Sequence, residues 1–413
     1  MEINNSENIK SAMDSQVIKK LRANLRKYYL FTFFSAFIFA YVVERIFQQA
    51  RGLSVTQMVY LDIIFFVIVL VLEVPSGALA DRWSRKNVLL LGAFFAFFEF
   101  LVPIFAYNFW VFAIASITAA LGVVLKSGTA NALIYDSLKT IKEENNFERF
   151  LGREKFIHYL GNSLAIVLGG AIAHYSGLVS VYWWSLFSIP VAFLIAATMR
   201  EPKIHTTTEE VEYWQHIKDA GKFVFNHSSL RFIILYGVIT GAVLMELDEY
   251  SQLFFQAISL PLLFFGVITS IRLLLEGSGG FVAHRLKNKI KLNSALILIL
   301  LLAIIFVLLS LYTKSLLSLI PLLLAFFALG IISPLVLGYI HHHTDSKHRA
   351  TVESFQSLFL NGFSILVGLG FAFFSDHFSI FSGYGLLGVI LLVYFVYFVI
   401  RRPRILDVES KIS

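Results

Sequence analysis

Long apolar runs recur along the whole 413-residue chain, each of a length that crosses a hydrocarbon layer roughly 30 Å thick. Only 15% of the residues are charged and 57% are apolar, whereas soluble domains carry about 25% charged residues. This composition excludes a disordered chain, a disulfide scaffold and an ordinary soluble enzyme. We predict an all-α membrane protein with twelve transmembrane helices. The predicted spans are Tyr28–Ala50, Val55–Ala80, Asn87–Tyr107, Trp110–Leu138, Phe156–Tyr175, Val179–Met199, Phe232–Ala257, Leu262–Ala283, Leu292–Tyr312, Leu316–Ile340, Val352–Phe374 and Ile380–Ile400.

The positions of lysine and arginine predict the orientation of these spans. If the N-terminus is cytoplasmic, the outer loops hold only Arg51 and Lys314. Three further basic residues lie within spans, so 29 of the 34 fall in cytoplasmic segments. Membrane proteins concentrate Lys and Arg on the cytoplasmic side. We therefore expect a multi-pass protein of the cytoplasmic membrane with both termini inside, and the net charge of +7 needs no nucleic-acid partner.

The spans divide the chain into two bundles joined by a polar central loop. We expect a cytoplasmic tail at 1–27, bundles at 28–199 and 232–400, the loop at 200–231 and a second tail at 401–413. Part of the loop has apolar residues at helical spacing, and either an interfacial helix or a solvated linker accounts for them. These residues are Val211, Trp214, Ile217 and Val224.

Two cytoplasmic segments that lie 203 positions apart resemble each other. The matched residues are Gly77 with Gly280, Ala80 with Ala283, Arg82 with Arg285 and Lys86 with Lys289. This offset is about half the chain, and two parallel halves with a site between them are a transporter architecture. We therefore predict two pseudo-symmetric six-helix bundles.

The end of the second span resembles the G-x-L-x-D-R-x-G-R-K signature of the major facilitator superfamily. The matching residues are Gly77, Leu79, Asp81, Arg82, Arg85 and Lys86, with Ser84 in place of the usual glycine. The tracts Glu73–Gly77 and Tyr135–Lys139 are also similar to bacterial members, in particular proton-coupled drug exporters. Chain length, span count and the central loop agree with this resemblance.

The resemblance implies a gate at the cytoplasmic face. In the family, an acid at the position of Asp81 faces the start of span 11, where a helix N-terminus favours an anion. The second motif arginine pairs with an acid that ends span 4, and Arg85 and Asp136 occupy these positions. The alternative is that the basic residues only fix topology. The implied gate residues are Gly77, Asp81, Arg82, Arg85, Lys86 and Asp136.

The resemblance leaves the direction of transport open. Antiporters of the superfamily carry a glycine-rich motif in span 5, and Gly161, Gly169 and Gly170 match it. Ala165 and Ile166 replace its Gly-Pro pair. Close packing of helices explains the remaining glycines.

Ionisable residues within the spans are the candidate proton-coupling or substrate-binding groups. Such a residue costs several kcal/mol unless it faces a cavity or a partner. The seven acids outnumber the three bases, so some carboxyls are expected to carry a proton. These residues are Glu44, Arg45, Asp62, Glu99, Lys126, Glu246, Asp248, Glu249, Arg272 and Glu276.

The seventh span is the preferred location for proton coupling. Glu246 and Glu249 are spaced i,i+3 and share a helix face, with Glu246 the deeper. Arg272 and Glu276 are i,i+4 neighbours, and both an ion pair and a functional role remain open. In the family, spans 1, 4, 7 and 10 line the central cavity, which implies lining positions for Glu44, Arg45, Lys126 and the acids of span 7.

Other function classes lack their sequence signatures. The chain has no G-x-x-x-x-G-K-[ST] motif and no matched catalytic motif, so we expect neither an ATP-driven pump nor an enzyme, and no cofactor. No metal site is expected at His341–His343, because adjacent histidines point in different directions.

We therefore expect a monomeric secondary transporter that works by alternating access. Its partners are protons, membrane lipids and the substrate, and its activity is proton-coupled export of amphipathic cationic or neutral small molecules. A proton-coupled metabolite uptake symporter is the alternative, since bases in the cavity suit an anionic substrate. A membrane sensor without transport activity is a further alternative.

Overall fold

The computed structural model describes residues 2–201, 221, 222, 224, 226–344 and 349–401. Side chains are not described for residues 2–17 or for a few later positions, which include Asp81 and Arg82. Three residues of the central-loop stripe, Val211, Trp214 and Ile217, lie outside the described residues. The predicted interfacial helix therefore stays a prediction.

Every regular element in these ranges is helical, and no strand occurs among them. Short 3-10 segments at Ala40–Val42, Glu144–Asn146 and Leu316–Ser318 connect some of the α-helices. The α-helices are α1 (Glu2–Ala36), α2 (Glu44–Ala50), α3 (Val55–Arg82), α4 (Arg85–Ile104), α5 (Phe109–Thr140), α6 (Phe147–Ser176), α7 (Leu178–Ala197), α8 (Ser228–Glu249), α9 (Ser251–Ala257), α10 (Leu262–Lys289), α11 (Leu292–Thr313), α12 (Leu319–His342), α13 (Arg349–His377) and α14 (Ile380–Arg401).

Within the described part of the chain, eleven helices are long and apolar enough to cross a membrane, and a bent pair brings the number to twelve. The pair joins Ile18–Val42 to Glu44–Ala50 with a bend of 43°. The predicted all-α membrane fold with twelve spans is confirmed. The first helix also begins far ahead of the predicted first span, at Glu2.

The predicted first span, Tyr28–Ala50, is not one continuous helix. It is interrupted between Ala36 and Glu44, where the i→i−4 hydrogen bonds of the α-helix stop and the short 3-10 segment Ala40–Val42 intervenes. Ser185 of α7 repairs the gap, because its buried hydroxyl accepts the backbone N–H groups of Phe39 and Ala40 at 3.1 and 3.0 Å. The same hydroxyl donates to the Val181 carbonyl at 2.7 Å. Irregular backbone at membrane depth is tolerated where protein groups satisfy it in this way.

The seventh span is also interrupted. α8 ends at Glu249 and α9 begins at Ser251, with Tyr250 between them. The fully buried Tyr384 of α14 donates its hydroxyl to the Leu247 carbonyl at 3.1 Å. Spans 1 and 7 hold corresponding places in the two halves of the sequence, and each is interrupted, the first with a bend of 43° and the seventh at the single residue Tyr250. Broken helices of this kind form substrate and ion sites in secondary transporters.

The contacts divide the chain into two compact units. The N-terminal unit holds the chain up to Phe47 and from Leu61 into the central loop, and the C-terminal unit holds Gln48–Tyr60 and the chain after the loop. The first turn of α3 thus belongs to the C-terminal unit. There the Asp376 carboxylate accepts the N–H groups of Val55 and Thr56, both at 2.9 Å.

Glycines allow close helix crossings in both units. In the N-terminal unit, a Cβ at Gly161 would lie 2.9 Å from the Phe33 carbonyl oxygen, so α6 approaches the first span directly. In the C-terminal unit, a Cβ at Gly279 of α10 would lie 2.7 Å from the Gly330 backbone of α12. Packing therefore accounts for Gly161, one glycine of the partial antiporter motif.

Replacement of Ser185 by alanine is expected to destabilise the protein by about 1–3 kcal/mol, the cost of leaving buried donors unsatisfied. Ser185→Ala leaves the N–H groups of Phe39 and Ala40 without an acceptor. Thermal unfolding of the detergent-solubilised protein measures the loss. The matched control is Ser180→Ala, which removes a half-buried hydroxyl from the same helix that donates to the Gly177 carbonyl and accepts no N–H group of the break. Equal melting temperatures for the two variants would show that Ser185 does not hold the break.

Candidate functional site

The N-terminal unit brings two predicted site residues, Glu99 and Lys126, into one small cavity. Tyr41, in the broken part of span 1, donates its hydroxyl to Glu99 of α4 at 3.0 Å. The Lys126 ammonium of α5 lies over the Phe31 ring, 5.4 Å from its centroid. The cavity has a volume of about 90 Å³ and is lined by these four side chains and by small and apolar residues of α1, α4, α5 and α7.

Lys126 and Glu99 share this cavity without forming an ion pair. No nitrogen–oxygen distance between them is within 4.0 Å, and Lys126 makes no hydrogen bond to any residue that the structure describes. Their separation leaves polar atoms of opposite charge in the same cavity. Sequence periodicity could not predict this arrangement, because it depends on how α4 and α5 pack.

Two other predicted site residues of the first half, Arg45 and Asp62, form an ion pair. The buried Arg45 guanidinium donates to Asp62 at 2.6 Å. Glu44 precedes Arg45 as the first residue of α2. The pair joins α2 to α3 and neutralises two of the charges that the sequence places in spans.

In the C-terminal unit, Glu246 is a buried carboxyl that faces α13. Its side chain is 7% exposed, and the Ser364 hydroxyl donates to its Oε1 at 2.8 Å. A Cβ at Gly368 would lie 3.1 Å from the same oxygen, so α13 approaches the carboxyl through small residues. Glu246 lies four residues before the break in span 7.

Two carboxylates of the C-terminal unit pair with Arg272. This guanidinium is 4% exposed and pairs with Asp248 at 2.7 Å and with Glu276 at 3.2 Å. It also lies over the Phe326 ring, 5.0 Å from the centroid. The i,i+4 pair is therefore present, and the same arginine also serves Asp248 from the neighbouring span. Reasoning within single spans missed that second partner.

Removal of the arginine is expected to destabilise the C-terminal unit by up to about 3 kcal/mol, the lower end of the cost of breaking a buried pair, because Asp248 is half exposed. Arg272→Met keeps the apolar stem and leaves two acids without their shared cation. Urea or thermal unfolding measures the effect. The double variant Arg272→Met with Asp248→Asn should recover part of the loss. No recovery would show that the guanidinium acts through packing on Phe326.

The predicted pair at the end of span 4 is present in the structure. Arg85 forms an ion pair with Asp136, and its guanidinium also donates to the Ala132 carbonyl at 3.0 Å. Gly77 and Lys86 lie on either side of Arg85 along the chain. The side chains of Asp81 and Arg82 are outside the described residues, so their predicted gate contacts stay predictions.

Sequence reasoning did not identify Glu201 as a partner of this region. Its carboxylate accepts the backbone N–H groups of Arg85 and Lys86 at 2.9 and 2.8 Å, and the Ser84 hydroxyl at 2.9 Å. It thereby caps the N-terminus of α4, where an anion is favoured. Ser84, which replaces the signature glycine, is a preferred N-cap residue, and this was the available signal.

The part of the chain described by the structure contains no group of three or more His, Cys, Asp or Glu residues that could hold a metal ion. His341 instead lies 2.5 Å from a carboxylate oxygen of Glu353, which joins the end of α12 to the first turns of α13.

The helices, the broken spans and the buried charges define a multi-pass membrane transport protein. The sequence model of the Major Facilitator Superfamily matches residues 28–369, and the chain belongs to this superfamily. It is a transporter rather than an enzyme. The resemblance drawn from the signature residues is confirmed at the level of the superfamily.

Relatives of the chain carry the same description. An uncharacterised MFS-type transporter of Bacillus subtilis, YxaM, is 23% identical over 362 residues, covering 83% of this chain and 86% of the relative. An uncharacterised transporter of Buchnera aphidicola subsp. Acyrthosiphon pisum (strain APS) is 26% identical over 166 residues, which is 40% of each chain. The match therefore spans less than half of the Buchnera relative.

Solved structures share the fold. The crystal structure of the nucleoside transporter NupG has a TM-score of 0.74 at 11% identity, covering 92% of this chain and 99% of the other. That of a D-xylose-proton symporter has a TM-score of 0.64 at 15% identity, covering 94% and 97%. At these identities the likeness shows the fold alone.

Proposed function

We propose that the protein is a proton-coupled secondary transporter of amphipathic small molecules and that Glu246 is the group that binds the coupled proton. The observation that carries this proposal is the buried Glu246 carboxyl hydrogen-bonded by the Ser364 hydroxyl. Ionisable residues at such positions in membrane proteins commonly mark proton relays and ion pathways.

Serine is suited to both protonation states of its partner. A hydroxyl has one donor and two acceptor sites, and its hydrogen rotates. Ser364 donates to Glu246 when the carboxyl is ionised, and it accepts from the carboxylic acid once a proton has bound. Protonation therefore costs no lost hydrogen bond at this contact. Asp248 is a weaker candidate because the Arg272 guanidinium holds its ionised form.

We propose that the protein exports its substrates and that these substrates are cationic or carry no net charge. The seven acids and three bases within the predicted spans favour substrates without net negative charge. Two of the three bases, Arg45 and Arg272, are already paired with acids. Uptake by symport is the second candidate, because one structure with the same fold is described as a proton symporter.

The coupling proposal predicts that Glu246→Gln abolishes uphill transport while downhill exchange survives. Without a titrating carboxyl, the proton gradient has no group on which to act. Everted vesicles and right-side-out vesicles with imposed pH gradients measure uphill transport of ethidium and of neutral dyes. Glu353→Gln, near the start of α13, is the matched control and should behave as the parent. Accumulation driven by the pH gradient in Glu246→Gln would place coupling elsewhere, with Glu99 and Asp62 next. Accumulation only in right-side-out vesicles would favour uptake.

The Ser364 contact gives a second test of the same assignment. Ser364→Thr retains a hydroxyl and should keep the parent's pH dependence of transport. Ser364→Ala removes the hydroxyl that donates to Glu246 and should change that dependence, with no large change in protein yield. Identical pH profiles for both variants would contradict a role for this hydroxyl in coupling.

We also propose that Arg85, Asp136 and Glu201 form part of an inner gate together with Gly77, Asp81, Arg82 and Lys86. The Arg85–Asp136 ion pair and the Glu201 cap tie the starts and ends of α4, α5 and α7 to one another. Such polar ties break and re-form without disturbing the apolar core, as alternating access requires.

The gate proposal predicts that Arg85→Ala slows turnover by at least about tenfold, which corresponds to about 1.4 kcal/mol in the barrier. Equilibrium binding of substrate should change little, because Arg85 begins α4 and lies roughly 21 Å along that helix from the cavity residue Glu99. Exchange rates in proteoliposomes and ligand binding to purified protein measure the two quantities. Lys139→Ala, an exposed basic residue at the end of α5, is the control. Parent turnover in Arg85→Ala would leave the cluster with a topological role only.

A further inference from the structure

The cavity in the N-terminal unit offers one cation and one anion to whatever enters it. Among the described side chains that line it, only Lys126 and Glu99 are charged. One comes from α5 and the other from α4, and no ion pair closes the gap between them. The remaining walls are aromatic, aliphatic or small, with Phe31 and Phe100 among them.

Both charged groups have hydrogen-bonding capacity to spare. A lysine ammonium carries three donors, and Lys126 uses none of them on the described residues. Glu99 receives one hydrogen bond, from Tyr41, whereas a carboxylate has about four acceptor positions. A partly buried charge without hydrogen bonds is costly, so both groups are poised for a partner.

We propose that this cavity binds a zwitterionic head group, with an ammonium and a carboxylate on the same carbon atom as in an α-amino acid. The ligand carboxylate takes the free donors of Lys126, and the ligand ammonium takes the free acceptors of Glu99. Such a ligand has no net charge, so its entry leaves the charge of the cavity unchanged. This proposal rests on the proposed transport function, since it names the substrate class.

The size and the walls of the cavity agree with a head group rather than a whole drug-sized molecule. Its volume of about 90 Å³ is well below the roughly 300–1,000 Å³ of pockets that enclose drug-sized ligands. An apolar tail must therefore extend beyond the cavity. The rings of Phe31, Tyr41 and Phe100 offer apolar contact and cation–π attraction to the ligand ammonium.

A lone cation is the competing ligand, because acids outside the lining add negative potential. The Glu44 carboxylate of α2 repels that of Glu99, and the Glu154 carboxylate of α6 attracts the Lys126 ammonium. A cation alone, however, leaves the donors of Lys126 unused. A lone anion leaves the acceptors of Glu99 unused and adds a negative charge. The three classes therefore differ in a way that matched probes can measure.

The first experiment compares three probes that share one ring. These are phenylalanine, phenethylamine, which lacks the carboxylate, and 3-phenylpropionate, which lacks the ammonium. Calorimetry measures their binding to the purified full-length protein at pH 7 without any gradient, with glycine as the bare head group. We expect each truncated probe to bind at least about tenfold more weakly than phenylalanine, because each lacks one set of charged hydrogen bonds. Equal binding of phenethylamine, or no saturable binding of either amino acid, overturns the proposal.

Single substitutions assign the two charges. Lys126→Gln should remove the preference for phenylalanine over phenethylamine, and Glu99→Gln should remove the preference over 3-phenylpropionate. Lys126→Arg should retain the first preference, which separates charge from folding. Lys314→Gln is the matched control, since this lysine also lies over a ring, Phe381, at 5.5 Å, but directly after α11 and outside the cavity. Unchanged preferences in both cavity variants would refute the assignment.

The outcome is independent of the coupling test. Binding is measured at equilibrium without a gradient, so the probe comparison reports the head-group site whether or not uphill transport occurs. Uphill transport by the parent without a preference for the zwitterion would refute this site and leave the coupling proposal standing. A zwitterion preference without proton-driven transport would leave this site standing and refute the coupling proposal alone.

Discussion

The hydrocarbon interior of a membrane offers no hydrogen bonds, so each backbone N–H and C=O group within it must find a partner in the protein. Continuous helices meet this demand by themselves. The first and seventh spans do not, since each is interrupted partway along. Ser185 and Tyr384 supply the missing partners from the last spans of the respective halves. The breaks are thus stable features, and they allow polar side chains such as Tyr41 to be placed at membrane depth.

The charges around these breaks fall into three kinds. Arg45 and Arg272 are paired with acids, which removes most of their cost and fixes neighbouring helices. Glu246 is held by a neutral hydroxyl, which tolerates a change of protonation. Lys126 and Glu99 line one cavity and do not form an ion pair with each other. The first kind stabilises the fold, and we propose that the other two bind the coupled proton and the ligand. This separation of roles follows from the partners that packing supplies.

The fold could be predicted from sequence because hydropathy over some 20 residues reports span existence directly. The break in the first span could not, since residues 37–43 are as apolar as their neighbours and the cause lies in Ser185, far along the chain. The Arg85–Asp136 pair was accessible through the family signature. The contacts of Glu201 and Ser364 were not, because each joins residues more than 100 positions apart. Periodicity identifies which residues of one helix share a face, and it gives no information on the helix opposite.

The interruption of the first span has a consequence for biogenesis. Phe39 and Ala40 enter the membrane early, yet the hydroxyl that accepts their N–H groups lies 146 and 145 residues later. At a synthesis rate of about 5–20 residues per second, the ribosome needs roughly 7–30 s to supply Ser185. During that interval the first span cannot reach its final hydrogen-bonded state in lipid. The sixth span completes the first, so the N-terminal half matures as one unit after its last helix has been inserted, rather than helix by helix.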